Sequence, residues 1–554
     1  MKHHLATFLF LMPFLSWGQE FPNIQMAQRF IDHAGQEKTY LGQLRASRRE
    51  IARRKRLISP INFANENDWA LDIGSNGPAA GPGTFYASGS TPSCDDWIAF
   101  VIDAQGTSAQ ANLVFLTNLY VNSVGTGFCA GTAPLVMAAY KVGASAANNR
   151  LAPSIWVNSI GTKAVVLEKG TGPANPATIH VITIGTGGTV SGPIAPTGTT
   201  LSYTVGGTTN CPSATGTSAS ADPVIWYASR HIYVGDDSGR LYQLANAFST
   251  PTINFCTTLA AGTKVTDLEP DEGPTPTYVT VVLAGRVLRQ VDGSSGTSFI
   301  PRWNHAVSST TNSITDYIQV DGSLNRIYLV SNQDSTGTNA VLEQWDYSGT
   351  LDSTLVLGPA SSQQIAGPIW DHNYSMNVNA SATLYFCTYP LAALGTPTFA
   401  DVGFDISWNM NSTPSMSGNT NILPVLAGLG TVCNPSFGYY EDDSTSPKHN
   451  IDIITGVGTG SNLNPNKVSR WRIQTAAANL SPITNNVMAP DASVTGNNGS
   501  VGGLTHPIGD WGDSTLGSNT FNIYFGSLAP QTSARGGCGI GSYCFIKLQV
   551  AGLN

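Results

Sequence analysis

Charged residues are scarce in this chain. Lysine, arginine, aspartate and glutamate make up 11% of its 554 residues, and the net charge is −8. Between residues 19 and 60, nine basic residues stand against four acidic ones, so the sequence after residue 60 has a net charge of −14. Binding to nucleic acid needs a basic face that neutralises phosphates. The acidic composition therefore excludes nucleic acid from the expected partners.

Several short motifs of known chemistry are also absent. The chain contains no CxxC or CxxCH motif, no GxSxG motif and no GxxxxGK[ST] motif. A thiolate-held metal, a covalently attached haem, a serine nucleophile on a sharp turn and a phosphate-binding loop are therefore not expected. From the sequence we predict no metal site and no cofactor.

Long apolar runs are missing as well. The longest run, from Leu5 to Trp17, follows Lys2 and ends where Ser16 and Gly18 provide the small residues of a cleavage site. It has about 13 residues, whereas a membrane-spanning helix needs roughly 20. Residues 1–18 are therefore predicted to be a signal peptide. We expect a secreted protein, periplasmic or extracellular, that does not insert into a membrane.

One stretch before the body has helical periodicity. Apolar residues from Ala27 to Ala34 are spaced as on one face of a helix, and basic residues crowd the stretch from Arg45 to Arg56. Residues 19–60 are predicted to be a basic helical segment or a pro-segment. The segment could be cleaved at its basic end or could dock as a strap on the acidic body, and a solvated helix face is the alternative.

Eight cysteines are present, an even number that favours disulfide bonds in an exported protein. A metal site is the weaker alternative, because no nearby histidine completes a tetrahedral set. If each cysteine bonds to its neighbour in sequence, the disulfides are Cys94–Cys129, Cys211–Cys256, Cys387–Cys433 and Cys538–Cys544. Eight cysteines allow about 105 pairings, so this pattern is a hypothesis.

Strand-forming residues dominate after residue 60. Val, Ile, Thr, Tyr and Trp recur in short runs between turns that draw on the chain's 58 glycines and 32 prolines. Such runs are typical of β-strands. Residues 97–103, 112–118 and 135–141 are predicted to be three successive strands of one antiparallel sheet.

A weak repeat organises these strands. Its unit is a proline, an apolar strand, a short turn and a second strand, and the clear copies start at Pro153, Pro223, Pro368 and Pro507. Less regular copies start near residues 278, 316 and 451. With the sheet at 97–141 they make eight candidate sheets. Four-stranded sheets that repeat in this way are typical of propellers. We predict an all-β fold: a β-propeller of about seven or eight blades over residues 61–554, with a short N-terminal helical segment.

Two of the repeats resemble those of quinoprotein-like propellers, the pyrroloquinoline-quinone type. Residues 231–244 and 287–303 follow that family's order of strand, glycine-rich turn, strand, Asp-x-x-x-Gly and tryptophan. The resemblance extends over about residues 95–550 and implies the fold, while it leaves the activity open. Quinoprotein dehydrogenases hold their quinone beneath a disulfide of adjacent cysteines, which this chain lacks. It looks more like members of the same fold that act as scaffolds or interaction platforms without a cofactor. It also resembles exported propellers of unassigned function.

Two segments combine tryptophan, histidine and aspartate. Their catalytic candidates are Asp371, Asp510 and Asp513, since two carboxylates could act on a glycosidic bond. Their binding candidates are Trp370, His372, His506 and Trp511. Both segments coincide with the repeat unit, so a structural role in every blade is the favoured interpretation.

Two loops are further candidates. Tyr440 and Asp442 belong to an aromatic and acidic loop that could bind a ligand, although acidic runs are usually just solvated. Asp236–Gly239 could ligate calcium, but a turn that closes a β-hairpin is favoured because the full calcium-loop spacing is missing.

Three functions remain open. The leading hypothesis is a secreted propeller that binds a protein or a polysaccharide through its loops, because the scaffold is well marked and the chemistry is not. The alternative is an extracellular hydrolase or lyase whose carboxylates converge on a polymer at the central funnel. A quinone-dependent oxidoreductase is third, and it follows only from the family resemblance.

Overall fold

The computed structural model describes residues 65–551 except for several loop segments, the longest of which are 371–381, 405–420, 438–447 and 483–504. Between residues 361 and 504 it describes only the backbones of the strands. The predicted signal peptide and basic helical segment lie outside the described residues. The described part consists of strands joined by turns and loops, and it contains no helix of the length and apolarity needed to cross a membrane.

The described strands form eight four-stranded antiparallel sheets, the blades. The first strand of the chain is β1 (Asn65–Gly74). Blade 1 contains β2 (Ala79–Tyr86), β3 (Trp97–Ile102), β4 (Leu113–Thr117) and β5 (Leu135–Tyr140). Blade 2 contains β6 (Leu151–Val157), β7 (Lys163–Glu168), β8 (Thr178–Thr183) and β9 (Thr197–Ser202). Blade 3 contains β10 (Val224–Trp226), β11 (His231–Gly235), β12 (Arg240–Ala245) and β13 (Thr252–Thr258).

The remaining blades continue this order. Blade 4 contains β14 (Val265–Asp271), β15 (Tyr278–Leu283), β16 (Val287–Asp292) and β17 (Ile300–Ala306). Blade 5 contains β18 (Gln319–Asp321), β19 (Arg326–Ser331), β20 (Asn339–Asp346) and β21 (Leu351–Pro359). Blade 6 contains β22 (Ala366–Trp370), β23 (Ala382–Thr388), β24 (Thr398–Phe404) and β25 (Asn421–Pro424). Blade 7 contains β26 (Val432–Phe437), β27 (Lys448–Gly458), β28 (Lys467–Ala476) and β29 (Asn479–Pro482).

Blade 8 closes the ring by combining both ends of the described chain. It contains β30 (Ile508–Asp513), β31 (Thr520–Gly526) and β32 (Tyr543–Ala551), and β1 is its outermost strand. The register runs from Asn65 opposite Val550 to Gly74 opposite Tyr543. Closure removes an open edge between the first and last blades. The predicted all-β propeller is therefore confirmed, and the structure has eight blades.

The first strand of each blade lies closest to the central axis. Contacts join β2 to β6, β14 to β18, β22 to β26, and β30 to both β2 and β26. Because each blade is a meander of four strands, the chain returns to the same face before the next blade begins. All inner strands consequently end at one face of the propeller, which we call the exit face.

Aspartate turns connect many of the strands. Asp236 follows β11, and its Oδ1 accepts hydrogen bonds from the backbone nitrogens of Ser238 and Arg240 at 3.0 and 2.9 Å, while its Oδ2 accepts one from the Tyr242 hydroxyl at 2.7 Å. Gly239 has a φ of +87°, and an added Cβ would lie 1.9 Å from the Ala260 carbonyl oxygen. Turns of this type favour Asp and Gly. Asp236–Gly239 therefore closes the β11–β12 hairpin, as the favoured interpretation of this segment predicts.

Neighbouring blades pack through apolar side chains. Between blades 1 and 2, the ring centroids of Trp97 and Phe115 are 5.2 Å apart, and those of Phe115 and Tyr140 are 5.9 Å apart. Ile155 and Val166 of blade 2 belong to the same buried cluster. Packing of this kind supplies the main driving force for folding.

Disulfides fasten three of the longer loops. Cys94 bonds to Cys129, and so joins the two exit-face loops of blade 1. Cys211 bonds to Cys256 of β13, and Cys538 bonds to Cys544 of β32. These three bonds follow the predicted sequential pairing. Cys387 and Cys433 lie on β23 and β26, whose side chains are outside the description, so their pairing stays a prediction.

Candidate binding surface

Blades 4 and 5 meet at an interface whose outer part is aromatic. A β-bulge at Arg302 interrupts the pairing of β17 with β16, so Trp303 lies opposite Gln290 and Pro301 lies opposite Val291. Trp303 reaches across to blade 5, where its Nε1 donates a hydrogen bond of 3.0 Å to the carbonyl oxygen of Tyr347. The ring also covers Gly349, where an added Cβ would lie 2.6 Å from it. Trp303 thus docks blade 4 onto blade 5.

Three rings and one carboxyl group meet beside this docking contact. The His305 ring lies 4.7 Å from the Trp345 ring at an angle of 25°, and the rings of Trp303 and Trp345 are 6.4 Å apart at 15°. Trp345 donates a hydrogen bond of 2.8 Å from its Nε1 to Oε2 of Glu343. We call Trp303, His305, Trp345 and Glu343 the rim cluster. Trp303 and His305 are only partly buried, whereas Trp345 and Glu343 are buried.

Exposed apolar side chains flank the rim cluster. Ile300 of β17 is 52% exposed, and Val356 of β21 is 55% exposed. Leu351 is also exposed and lies opposite Trp345 in the β20–β21 pairing. Of the seven large apolar side chains that are exposed in the described part of the chain, three are therefore on these two outer strands. Grouping of this kind marks an interaction surface more often than scattered single residues do.

Arg302 adds a positive charge to the same surface. Its guanidinium carbon lies 3.9 Å from the centre of the Tyr278 ring, and its NH1 donates to Oε1 of Gln290. Arg302 itself is exposed. A cation above an aromatic ring is stabilised by the ring's negative face. The surface thus combines an arginine, three aromatic rings and aliphatic residues, the residue types that are enriched where proteins bind each other.

Glu343 is buried beneath these rings, only 6% exposed. Burial, which disfavours the charged form, raises the pKa of Glu343 to about 7. The Trp345 hydrogen bond lowers that pKa, and the negative charge of Asp334 raises it. The rim cluster therefore contains a carboxyl group that takes up or releases a proton near neutral pH.

The inner part of the same interface carries three more acids, all on β14. The backbone nitrogen of Ile318 donates a 2.7 Å hydrogen bond to Oδ2 of Asp267, and the Tyr347 hydroxyl donates one of 2.7 Å to Oδ2 of Asp271. Tyr347 belongs to blade 5 and Ile318 directly precedes its first strand, so the Asp267 and Asp271 side chains face blade 5. Glu269 lies between them on the same side of the strand. Burial, and then the charges of Asp267 and Asp271, raise the pKa of Glu269 well above its usual range.

The structure describes only part of the sequence-predicted site. Trp370 is the last residue of β22, and Asp510, Trp511 and Asp513 lie on β30. These strands are the inner strands of blades 6 and 8, which are separated by blade 7. The other predicted site residues lie outside the described residues: Asp371, His372, His506, Tyr440 and Asp442. Their roles stay predictions.

Inner strands do bring one predicted residue, Asp513, to the same face as two aspartates that were not among the predicted site residues. Asp271 ends β14, Asp321 ends β18 and Asp513 ends β30. Because all inner strands end at the exit face, three blades have an aspartate at the exit-face end of their inner strand. The Asp271 carboxylate is buried there and bonded to Tyr347.

Sequence reasoning missed the rim cluster. Trp303 is the tryptophan of the second repeat that resembles the quinoprotein pattern, but nothing in that pattern shows that it meets Trp345. A usable signal is the segment Val341–Trp345, where Glu343 occupies a position that strand alternation assigns to the same face as Val341 and Trp345. A glutamate among buried positions of a strand is uncommon.

Solved β-propellers are similar to this chain over most of its length. The propeller of Dos1 is 11% identical with a TM-score of 0.43, and the similarity covers 87% of this chain and 94% of that chain. Sqt1 of Saccharomyces cerevisiae is 10% identical with a TM-score of 0.43, covering 87% and 99%. BamB of Moraxella catarrhalis is 11% identical with a TM-score of 0.36, covering 88% and 99%. No protein-family model and no curated protein sequence matches the chain. Its own sheet topology establishes it as an eight-bladed β-propeller.

Proposed function

We propose that this protein is an exported propeller that binds a protein partner through the outer surface of blades 4 and 5. The observation that carries the proposal is the rim cluster with its exposed neighbours Ile300, Leu351 and Val356. Export is supported by three disulfides, which persist in oxidising compartments. Propellers expose such surfaces on rigid blades, so the binding groups are held in place before the partner arrives.

A protein partner suits this surface better than a polysaccharide does. The rings of the rim cluster stack on one another, and Trp303 also covers Gly349, so their faces are largely used within the protein. The most exposed groups are aliphatic side chains and Arg302. Desolvation of aliphatic and arginine side chains at the centre of a patch is typical of protein interfaces. A polysaccharide remains the other ligand class to be tested.

Site-directed photo-crosslinking tests the proposal in the intact protein. Benzoylphenylalanine is placed at Val356, and at Ile160 as a control, because Ile160 is similarly exposed at 59% but lies on a turn of blade 2. The variants are mixed with envelope and secreted proteins of the producing cell. We expect one discrete crosslinked protein from position 356, and the same protein should not crosslink from position 160.

The purified partner then gives a quantitative test. The double variant Ile300→Ser and Val356→Ser should bind the partner at least about tenfold more weakly than the native protein, since central apolar side chains each contribute roughly 1 kcal/mol or more. The double variant Ile160→Ser and Ile540→Ser removes two isoleucines elsewhere that are at least as exposed, and it should leave binding unchanged. The protein-partner proposal is overturned if both double variants lose affinity equally. It is also overturned if the protein binds a soluble polysaccharide and Val356→Ser abolishes that binding.

A second candidate function is favoured by the aspartates at the exit face. Asp271, Asp321 and Asp513 end inner strands of three blades, an arrangement that a polymer-cleaving hydrolase or lyase could use for acid and base chemistry. Its test is turnover of a panel of soluble polysaccharides by the native protein. Turnover that Asp513→Asn abolishes would support this candidate, whereas turnover that is unchanged in Asp321→Asn and Asp513→Asn would remove it.

A further inference from the structure

The interface between blades 4 and 5 differs from an ordinary blade interface because four acids face it. Asp267, Glu269 and Asp271 lie on β14 toward the channel, and Glu343 lies on β20 toward the rim. We call this interface the acidic seam. Its apolar members, among them Leu288, Ile327 and Leu329, come from both blades. A carboxyl group in such surroundings costs little free energy when it is neutral and much more when it is charged.

Glu343 is the acid that connects the seam to the exposed surface. Its carboxyl group accepts the Nε1 hydrogen of Trp345, and Trp345 stacks against His305 of blade 4. In the register, Glu343 lies between Leu329 of β19 and Thr354 of β21, so its strand is paired on both sides within its own blade. A change of charge at this carboxyl group therefore acts directly on Trp345, whose ring stacks against Trp303 and His305 of blade 4.

Other titratable and charged groups lie on the elements packed around Glu343. They are His305 and Arg302 on β17, Asp334 in the turn before β20, and the Arg326–Asp352 ion pair of 2.8 Å between β19 and β21. Asp334 is held by its own turn, where the backbone nitrogen of Thr338 donates a 2.8 Å hydrogen bond to Oδ1. Although burial works in the opposite direction, this and further hydrogen bonds from Thr336 and Asn339 lower the pKa of Asp334 to about 2. Asp334 is therefore charged throughout the neutral range.

We propose that the acidic seam is a proton-controlled joint: neutral Glu343 keeps blades 4 and 5 closed at the rim, and loss of its proton makes the rim cluster open more readily. This inference rests on the proposed function for its biological meaning, since it names the regulation of the same surface. A partner that covers the closed rim would bind best where Glu343 keeps its proton. An exported protein would then hold its partner at acidic pH and release it more readily as the pH rises.

The expected pH profile follows from proton linkage. An exposed glutamate loses its proton near 4.5, whereas Glu343 in the closed seam keeps it until about 7. Between these values the closed state holds one more proton than the open state, so each pH unit favours opening by about tenfold. Above about 7 both states are deprotonated at Glu343 and its contribution levels off. We therefore expect the equilibrium constant for opening to rise with pH and to level off near pH 7. We call this levelling-off point the break.

Hydrogen–deuterium exchange of the intact protein measures this opening without a partner. Peptides from β17 and β20 are followed from pH 5 to pH 8, with labelling times adjusted for the intrinsic effect of pH on amide exchange. We expect their protection to fall with pH and to level off near pH 7, while peptides from β4 of blade 1, which has no ionisable side chain, stay constant. Glu343→Gln, which resembles the neutral acid, should abolish the fall.

Two variants should move the break in opposite directions. Asp334→Asn removes the negative charge that raises the pKa of Glu343, so its break should shift to lower pH. Trp345→Phe removes the hydrogen bond that lowers this pKa, so its break should shift to higher pH. Glu269→Gln is the matched control at the channel end of the same seam, and it should leave the break near 7 in place.

The outcomes separate the joint from the proposed function. If Glu343→Gln keeps the native profile, or if Asp334→Asn and Trp345→Phe do not shift the break, the proton-controlled joint is wrong, whatever position 356 crosslinks to. If the exchange profile is as expected but position 356 captures no partner, the joint stands and the proposed binding surface is wrong. If both hold, crosslinking from position 356 should decline between pH 6 and pH 8 in the native protein and stay constant in Glu343→Gln.

Discussion

Two interfaces of the same ring use opposite chemistry. Between blades 1 and 2 the side chains of Trp97, Phe115, Tyr140 and Ile155 form a buried apolar cluster. The buried ionisable pair on blade 2, Glu168 and His180, is satisfied by a direct contact of 2.7 Å. In the acidic seam between blades 4 and 5, Glu343 is buried with a raised pKa and no cation bonded to its carboxyl group among the contacts described.

The difference shows that blade topology does not dictate how an interface responds to solvent. Both interfaces are built from four-stranded meanders of similar length. The apolar cluster between blades 1 and 2 should contribute stability that is independent of pH between 4 and 8, because none of its side chains gains or loses a proton in that range. The acidic seam should contribute stability that depends on pH. The same surface also exposes the aliphatic and aromatic residues proposed to bind a partner.

The largest expected effect is at the apolar interface. Phe115→Ala removes a fully buried ring that contacts both Trp97 and Tyr140. It should lower the free energy of unfolding by about 3–5 kcal/mol, through lost transfer energy and the cavity that remains. Urea denaturation followed by fluorescence measures this cost at pH 5 and at pH 8, and the two values should agree. Ile160→Ala, on an exposed side chain, is the control and should cost under about 0.5 kcal/mol.

The disulfide of blade 1 should have the next largest effect. Cys94→Ser combined with Cys129→Ser opens a loop of 35 residues in sequence separation. The chain-entropy account gives a loss of about 4 kcal/mol for a loop of this length, at any pH. Thermal unfolding of the native and the doubly substituted protein, both without reductant, checks this. An unchanged melting temperature would show that other contacts already hold the two blade 1 loops in place without the disulfide.

Glu343→Gln should separate the two interfaces by their pH dependence. In the native protein the raised pKa of Glu343 means that stability is full below about 4.5 and falls as the pH rises to about 7. At about 1.4 kcal/mol per unit, the loss reaches about 3 kcal/mol. The variant should lack this loss, so that it is the more stable form at pH 8. Parallel stability curves from pH 4 to pH 8 for the two proteins would contradict a proton-sensitive seam.

The smallest effect is expected from the docking tryptophans. Trp303→Phe keeps a ring above Gly349 but removes the Nε1 hydrogen bond to Tyr347, which should cost about 1 kcal/mol. Trp156→Phe is the matched change between blades 2 and 3, where Nε1 donates to the Pro223 carbonyl oxygen at 2.7 Å. Calorimetric melting of both variants should show similar shifts. A much larger cost for Trp303→Phe would mean that the acidic seam relies on its tryptophan more than the interface between blades 2 and 3 does.

Much of the fold could be predicted because its units repeat locally. The segment from Pro223 to Leu244 contains β10, β11 and β12 with the Asp236 turn between the last two, and each part has a short-range signal. The two strands before residue 90 had no such signal. β1 begins with Asn-Glu-Asn-Asp, and β2 contains two glycines and a proline. β1 is defined by its pairing with β32, about 480 residues away. Pairing over that distance leaves no local pattern to read.

The candidate surface was harder to predict than the fold for a related reason. Trp303 and Trp345 belong to different blades, and their contact depends on the angle at which the ring places those blades. The burial of Glu343, and with it the raised pKa, exists only once blade 4 covers blade 5. A repeat in the sequence predicts the structural features that all blades have in common. The rim cluster is a feature that only one pair of the described blades has been found to form.

The first measurement to make is the affinity of the purified crosslinked partner for two double variants of the surface residues. We expect at least about tenfold weaker binding when Ile300→Ser and Val356→Ser are combined, because Ile300 shares β17 with Trp303 and Val356 pairs with Val341 of β20. We expect unchanged binding when Ile160→Ser and Ile540→Ser are combined, because these two residues lie on other blades. Unchanged binding by the first double variant, with both proteins folded as judged by their melting temperatures, would contradict a binding surface on blades 4 and 5.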